Sequence, residues 1–378
     1  MKIGITCYPT YGGSGVLATE LGKALAKRGH QIHFISYAMP MRLNGGFDNN
    51  IFYHEVEMTT YPVFEFPLYT PALASKMVEV ANFEGLDLLH VHYAIPHATS
   101  AYLAKKMISN KDFRTVTTLH GTDITLVGLE PSFLSVMKFS IEKSDGVTAV
   151  SRYLKEKTLT NYNINKEIDV IPNFVDIEEY RHVDDSCVRK KFSLDDKRIL
   201  VHVSNFRPVK RVQDVIRIFD QVQKKIPSIL ILAGDGPDRS NCEMLVRELG
   251  IQHSVKFLGK QVELREILSA ADIFLMPSQQ ESFGLSALEA MACEVPVISS
   301  SVGGLPELVV HNHTGYIAEI GDIDRMARYA IELLTNEVKR DQFAKEGRKR
   351  AVEMFNLEKI VGEYEKHYEK VMNSPKVE

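Results

Sequence analysis

Short apolar runs alternate with longer amphipathic stretches through the first half of the chain. "KIGITCY" (2–8) reads as a β-strand and "YGGSG" (11–15) as the glycine loop that follows it. In "VLATELGKALAKRG" (16–29), Leu17, Leu21, Ala24 and Leu25 recur at helical spacing, and Gly29 suits a C-terminal cap. "QIHFISY", "DLLHVHY", "TVTTLHG" and "GVTAVS" predict further strands, separated by helical stretches such as "ATSAYLAKKMI" and "FLSVMKFSIEKS". This alternation predicts a parallel sheet covered by helices on both faces.

The pattern stops at "DVIPNFVDIEEY", with Pro172 and Asn173, and a charged connector with a short helix, "RHVDDSCVRKKFSLDDKR", follows. From "ILVHVSNF" the alternation restarts and runs through "VQDVIRIFDQVQKKI", "SILILAG", "NCEMLVRELG", "SVKFLG", "DIFLMPS" and "PVISSS" to two long charged helices. The chain of 378 residues is long enough for two domains. The fold class expected is therefore α/β, two Rossmann-like, doubly wound parallel-sheet domains over 1–172 and 173–355. Two such domains imply a cleft between them, with ligands bound beyond the carboxyl ends of the strands.

Composition narrows the choices. A formal net charge of −4 argues against a nucleic-acid binder with a broad basic face. Cys7, Cys187, Cys242 and Cys293 lie far apart without a CxxC pair, which reads as reduced thiols. The first strand is too short for a signal sequence, and no apolar run approaches the ~20 residues of a membrane span. A cytoplasmic protein with no membrane insertion is expected.

Candidate chemistry gathers at strand-to-helix junctions. "YGGSG" would let backbone approach a phosphate at a helix N-terminus, although an ordinary tight turn looks the same. "SNFRPVKR" places Arg207, Lys210 and Arg211 after a strand, where cations suit a diphosphate. "HGTD" (120–123) and "HVHY" (90–93) put polar groups at the ends of neighbouring strands; without a third ligand at metal spacing, one histidine per strand face is expected. Asp322 and Asp324 in "GDID" precede a helical run and read as N-capping rather than metal binding. "GDGP" (234–237) suits a turn beside a flat ligand. In "QESFGLSALEAMACEVP", Glu281 sits at a loop edge and Glu289 on an apolar helix. Eight helical positions span about 12 Å at most, the reach from a sugar ring across a diphosphate to a ribose. Ser282, Phe283, Gly284 and Leu285 would offer N–H groups to the phosphates, and Glu289 would be costly to bury without partners.

Taken in order, "GGSG", "HGTD", "GDGP", "ESFGLSALEAMA" and "VGGLPE" resemble the retaining family 4 glycosyltransferases of GT-B fold, with Glu281 and Glu289 as the E-x7-E motif. The resemblance covers nearly the whole chain and implies a nucleotide-sugar donor held mostly by the second domain. It also implies a C-terminal helix, about 356–378, that packs back on the first, acceptor-binding domain. "GGSGVLATELGKALA", "LDLLHVHYAIPHA" and "VSNFRPVKRVQDVI" are similar to family members that move N-acetylglucosamine from UDP-GlcNAc to L-malate, the first step of bacillithiol synthesis. By position, Gly13 and Gly15 would meet the diphosphate and Lys210 would neutralise it, Glu281 would contact the sugar, Glu289 the ribose, and His120 would lie beside the reacting sugar. The catalytic set implied is His120, Glu281 and Lys210. Asn205, Arg207, Gly234, Lys260 and residues 282–285 complete the donor set. Ser14, Arg42, Tyr93 and Thr122 are candidates for holding malate. Two departures stand out: Asn205 and Arg207 where the family usually has "GR" after the strand, and Glu294 where glycine is usual.

A double displacement needs a carboxylate beneath the anomeric carbon. At the first-domain rim only Asp123 offers itself, and it is expected to cap or to orient the turn. Front-face displacement follows, without metal or other cofactor, the protein supplying positioning and charge stabilisation. Alternatives are a lipid, inositol phosphate or glucan acceptor, a UDP-GlcNAc 2-epimerase, and a non-catalytic nucleotide-sugar sensor. "EFPLYTPALASKMVEVA" keeps the lipid acceptor alive, though it lacks a basic face. A homodimer is left open.

Overall fold

The computed structural model describes residues 1–10, 12–43, 49–58, 66–110, 112–184 and 197–377. Tyr11, Cys187 and residues 185–196 of the connector lie outside them. The chain forms two compact units, Met1–Asn173 with Leu357–Glu378, and Phe174–Asn356.

Unit 1 is built on the strands β1 (Lys2–Thr6), β2 (Gln31–Ser36), β3 (Ile51–Glu55), β4 (Leu88–His92), β5 (Arg114–Leu119), β6 (Gly146–Ala149) and β7 (Asp169–Val170). They form one parallel sheet in the order β3-β2-β1-β4-β5-β6-β7. β1, β4 and β5 are buried along almost their whole length, so they show no exposed polar face, and the polar His90, His92 and threonines of β4 and β5 are buried with the apolar residues. The edge strand β3 is half-exposed and its "IFYHE" carries no such run, so the apolar pattern does not announce it.

Helices α1 (Gly13–Lys27), α2 (Tyr69–Glu84), α3 (Thr99–Met107), α4 (Thr122–Thr125), α5 (Leu134–Lys143) and α6 (Arg152–Tyr162) occupy the crossovers of unit 1. α2 buries Leu73, Ala74, Met77, Val80 and Ala81 in the core beside Ile35, Leu89 and Phe113. The apolar stretch that kept a lipid acceptor alive is thus largely a core helix.

Unit 2 repeats the plan. β8 (Arg198–Val203), β9 (Ser228–Ala233), β10 (Val255–Gly259), β11 (Ile273–Met276), β12 (Val297–Ser300) and β13 (Gly315–Ala318) form a parallel sheet in the order β10-β9-β8-β11-β12-β13. Its helices are α7 (Val212–Gln223), α8 (Arg239–Glu248), α9 (Arg265–Ser269), α10 (Leu285–Ala292), α11 (Leu305–Leu308), α12 (Ile323–Thr335) and α13 (Glu337–Phe355). α7 and α12 place Val212, Val215, Phe219, Met326 and Leu333 in one core with Leu230 and Leu275. Asp322 Oδ1 accepts from the Arg325 N–H at 3.1 Å and caps α12, as "GDID" suggested.

The last helix, α14 (Leu357–Asn373), belongs to unit 1, where Ile360, Val361, Tyr364, Tyr368 and Val371 are buried. Beyond it the chain is pinned to the sheet. Lys105 Nζ donates to both oxygens of Asp145 at 2.7 and 2.8 Å and to the Val377 carbonyl at 2.7 Å. Asp145 also accepts from the Thr115 and Val377 N–H groups at 2.8 and 2.9 Å.

Candidate active site

In both sheets the strand order reverses beside the first strand of the unit, between β1 and β4 and between β8 and β11. That switch point is where ligands of such sheets bind. The chemistry-bearing loops follow these four strands or their neighbours.

In unit 2, β8 ends at Val203 and the chain enters "SNFRPVK". A short 3₁₀ turn, Pro208–Lys210, presents Lys210, and the Gln279 N–H donates to the Val209 carbonyl at 2.7 Å, fastening this turn to the loop after β11. Lys210 Nζ then donates to Glu281 Oε1, with Ser278 Oγ on the same carboxylate oxygen at 3.2 Å. The two side chains retain 20% and 11% exposure, so the pair is reachable by a ligand yet shielded from bulk water. The "VGG" motif explains itself here: Gly303 has φ +59°, and a Cβ there would stand 1.6 Å from the Glu281 carbonyl oxygen. The Gly304 N–H donates to that carbonyl at 3.1 Å, which sets the backbone of Glu281.

Helix α10 begins only at Leu285; its cap, Gly284, has φ +101° and makes no side-chain cap bond. The Ala287 and Leu288 N–H groups both donate to the Gly284 carbonyl at 3.1 Å, so it is the N–H groups ahead of them that can serve an acceptor. Phe283 turns inward against Phe355, 5.4 Å between ring centroids, so its backbone alone can serve a ligand. Glu289 lies on α10 at 7% exposure and is not left unpartnered. Gly234 ends β9 in the left-handed region (φ +127°), its turn packed on the Ser204 carbonyl. Asn205 and Arg207 are exposed on the same loop as Lys210, while Lys260 is exposed just past β10. Glu294, the other departure, holds φ +62° directly after α10, where glycine would be unstrained.

Unit 1 has a different character. His90 and His92 are both buried with ring centroids 4.5 Å apart, so they share one face of β4. The expectation of one histidine per face is corrected: strand side chains alternate, and positions two apart point the same way. His90 is consumed structurally by Thr118 Oγ1 at 2.7 Å and the Tyr368 hydroxyl at 2.8 Å. His92 Nδ1 and His120 Nε2 are 2.8 Å apart and share one proton. Burial pushes the His120 imidazole down to about 3 and that of His92 well below its ordinary value. Both are neutral near pH 7, so His120 offers a hydrogen bond rather than a charge.

Tyr93, φ +88°, turns its hydroxyl to Ser14 Oγ at 2.8 Å, and its ring lies 5.3 Å from that of His120. A left-handed aromatic residue is strained by ~1–3 kcal/mol and is held by its surroundings. The Asp123 carboxylate supplies part of that hold: Oδ1 accepts from the Gly121 N–H at 2.9 Å and Oδ2 from the Ala94 N–H at 3.0 Å. Asp123 orients its turn, as expected, and burial raises its pKa against those bonds.

Gly13 opens α1, exposed at its first turn. Gly15 is buried, and a Cβ there would meet the Tyr8 carbonyl at 2.4 Å, so close backbone packing alone requires glycine. Arg42 lines a crevice too narrow to hold a water molecule, with Tyr8, Thr10, Gly15 and Thr19, its guanidinium 3.8 Å from Glu20. Tyr8 lines the same crevice, and its ring lies 5.4 Å from that of Tyr93. Thr122 opens α4 at the same rim. The sequence reading placed His92 in "HVHY" but not its bond to His120, and passed over Tyr8, whose position just past β1 was the signal that could have found it.

Two doubly wound parallel sheets, each with polar side chains at its switch point, are the architecture of the GT-B class. Solved structures share the fold: sucrose-phosphate synthase of Thermosynechococcus elongatus (TM-score 0.80, 23% identity, 98% of this chain and 99% of that one). Anabaena HepE, solved with UDP-glucose, matches equally (TM-score 0.80, 22% identity, 98% and 100%). Residues 11–179 match the family Glycosyltransferase Family 4 and residues 185–350 match Glycosyl transferases group 1. The N-acetyl-alpha-D-glucosaminyl L-malate synthase of Bacillus anthracis is 49% identical over 377 residues, covering 100% of this chain and 98% of that protein. The chain belongs to this glycosyltransferase family and is an enzyme that transfers a sugar.

Proposed function

We propose that the protein transfers N-acetylglucosamine from UDP-GlcNAc to the hydroxyl of L-malate with retention of configuration. The observation that carries this reading is the 49% identity to the Bacillus anthracis synthase over the whole chain. Within unit 2, Lys210 takes the diphosphate charge, and Glu281, freed from Lys210, accepts from the sugar hydroxyls. N–H groups at the start of α10 add donors to the phosphates, and Glu289 takes the ribose diol. Arg207, one turn before Lys210, supplies the guanidinium that the Asn205 departure removes. These donors act where charge develops on the leaving diphosphate.

Within unit 1, Gly13 serves the diphosphate, and the neutral His120, its Nε2 occupied by His92, gives its other ring nitrogen to the sugar. Ser14, Tyr93, Thr122 and Arg42 hold malate, with Arg42 the cation for a carboxylate. The malate hydroxyl attacks on the face the diphosphate leaves, and its proton passes to a phosphate oxygen. No metal is called for in this scheme, because Lys210, Arg207 and backbone N–H groups carry the phosphate charge.

UDP release from UDP-GlcNAc tests it, measured with L-malate, glycerol 3-phosphate, inositol phosphate and no acceptor, with the product anomer read by NMR. Malate-dependent release of an α-linked product is expected. Equal release without acceptor would point to an epimerase or hydrolase, and preference for another acceptor would displace malate.

A further inference from the structure

Away from the switch points, unit 1 brings together three potential metal ligands that the transferase reading leaves idle. His33 lies on β2, His54 on the edge strand β3, and Glu84 is the last residue of α2. One nitrogen from each imidazole and a carboxylate oxygen of Glu84 all lie within 4.8 Å of one another.

The parallel register pairs His33 with Phe52 and Ile35 with His54. Phe52 and His54 share a face of β3, so the His33 ring lies against both, 4.7 Å from Phe52 and 5.3 Å from His54. His33 Nδ1 and His54 Nε2 are 3.0 Å apart. The other nitrogen of His33, Nε2, is buried without a hydrogen-bond partner. Glu84 is held in place by its own backbone, because Gly85 ends α2 at φ +70° and Lys2 Nζ donates to the Glu84 carbonyl at 2.7 Å.

We propose that His33, His54 and Glu84 bind one divalent ion of the Zn²⁺ class, fastening β2, the edge strand β3 and the end of α2 to one another. Two imidazole nitrogens on a tetrahedral ion with bonds of about 2.0–2.1 Å stand about 3.3 Å apart. Exchanging the shared proton for an ion thus requires the observed pair to open by only a few tenths of an ångström. Two imidazoles and one carboxylate favour Zn²⁺ or a similar borderline ion over Mg²⁺ or Ca²⁺, with water completing the shell. Among the neighbouring charges, Glu79 favours the ion and Lys2 and Lys76 oppose it, Lys76 being paired with Glu79 at 2.8 Å.

The test uses the full chain stripped with a chelator. Zn²⁺ is titrated by calorimetry, and Co²⁺ by its visible absorption, which reports tetrahedral nitrogen and oxygen ligation. One ion per chain and a rise in Tm are expected. His54→Ala and Glu84→Gln change partly exposed side chains; each should lower affinity at least about 10-fold, the smaller loss typical of even an outer-shell partner. Metal-free transferase activity should persist in both variants, which shows that they fold. Absence of binding overturns the proposal. So does binding that both variants retain unchanged, which would move the ion to other histidines such as His92 and His120.

Discussion

The two sheets share a strand order but differ in what they place at the switch point. Unit 2 sets an ion pair there, Lys210 with Glu281, on loops locked backbone to backbone. Unit 1 sets neutral rings, His92, His120 and Tyr93, on a strained turn held by a buried carboxylate. One topology therefore carries two kinds of chemistry at its switch point, a charged pair in unit 2 and oriented neutral hydrogen bonds in unit 1. Each depends on loop residues rather than on the sheet itself.

The sharpest way to break the contrast is to remove the charge from unit 2. Glu281→Ala should lower kcat about 10²–10³-fold in a UDP-release assay, the scale seen when one positioned electrostatic group is lost. If the two units were equivalent, His120→Ala would cost as much; a smaller loss is expected, because His120 carries no charge. Gly303→Ala comes next. The added Cβ drives into the Glu281 carbonyl, and a displacement near 1 Å should cost about 10²-fold in kcat while circular dichroism stays unchanged.

Acid separates the units through stability. Burial holds His33 and His97 down to about 4 and His90 and His120 down to about 3, all in unit 1, whereas unit 2 has His202 at about 4. These groups stay neutral when folded and protonate when unfolded. The stability they confer is thus complete above their unfolded pKa of about 6.5 and falls as pH drops toward their folded values, by at most about 1.4 kcal/mol per histidine per pH unit. Hydrogen exchange from pH 7 to pH 5 should show β4 and β5 losing protection before β8 and β9. Equal loss in both sheets would refute the asymmetry. The smallest effect expected is Tyr93→Phe, which removes the hydroxyl bonded to Ser14. About 0.5–1.5 kcal/mol should appear as a raised KM for the acceptor, with kcat nearly unchanged.

The alternation of apolar runs made both sheets legible, since buried parallel strands cannot hide their composition. "IFYHE" escaped because an edge strand with one wet face has no such run. Lys210 and Glu281 were legible as chemistry, each at a strand-end loop, though their pairing depends on a contact across 71 positions. Gly15 was singled out for phosphate, yet the Tyr8 carbonyl alone already demands it. His33, His54 and Glu84 have no spacing that would mark them. Only the register of β2 on β3 brings the two rings together.

The buried Lys105–Asp145 pair, tied to Val377, bears on how the chain comes into being. Unit 1 starts at the N-terminus but needs α14 and the residues after it to fill its core and satisfy that pair. Unit 2 is one continuous segment, Phe174–Asn356. On the ribosome, then, the second half can finish folding while the first half still lacks the helix and tail that complete its core.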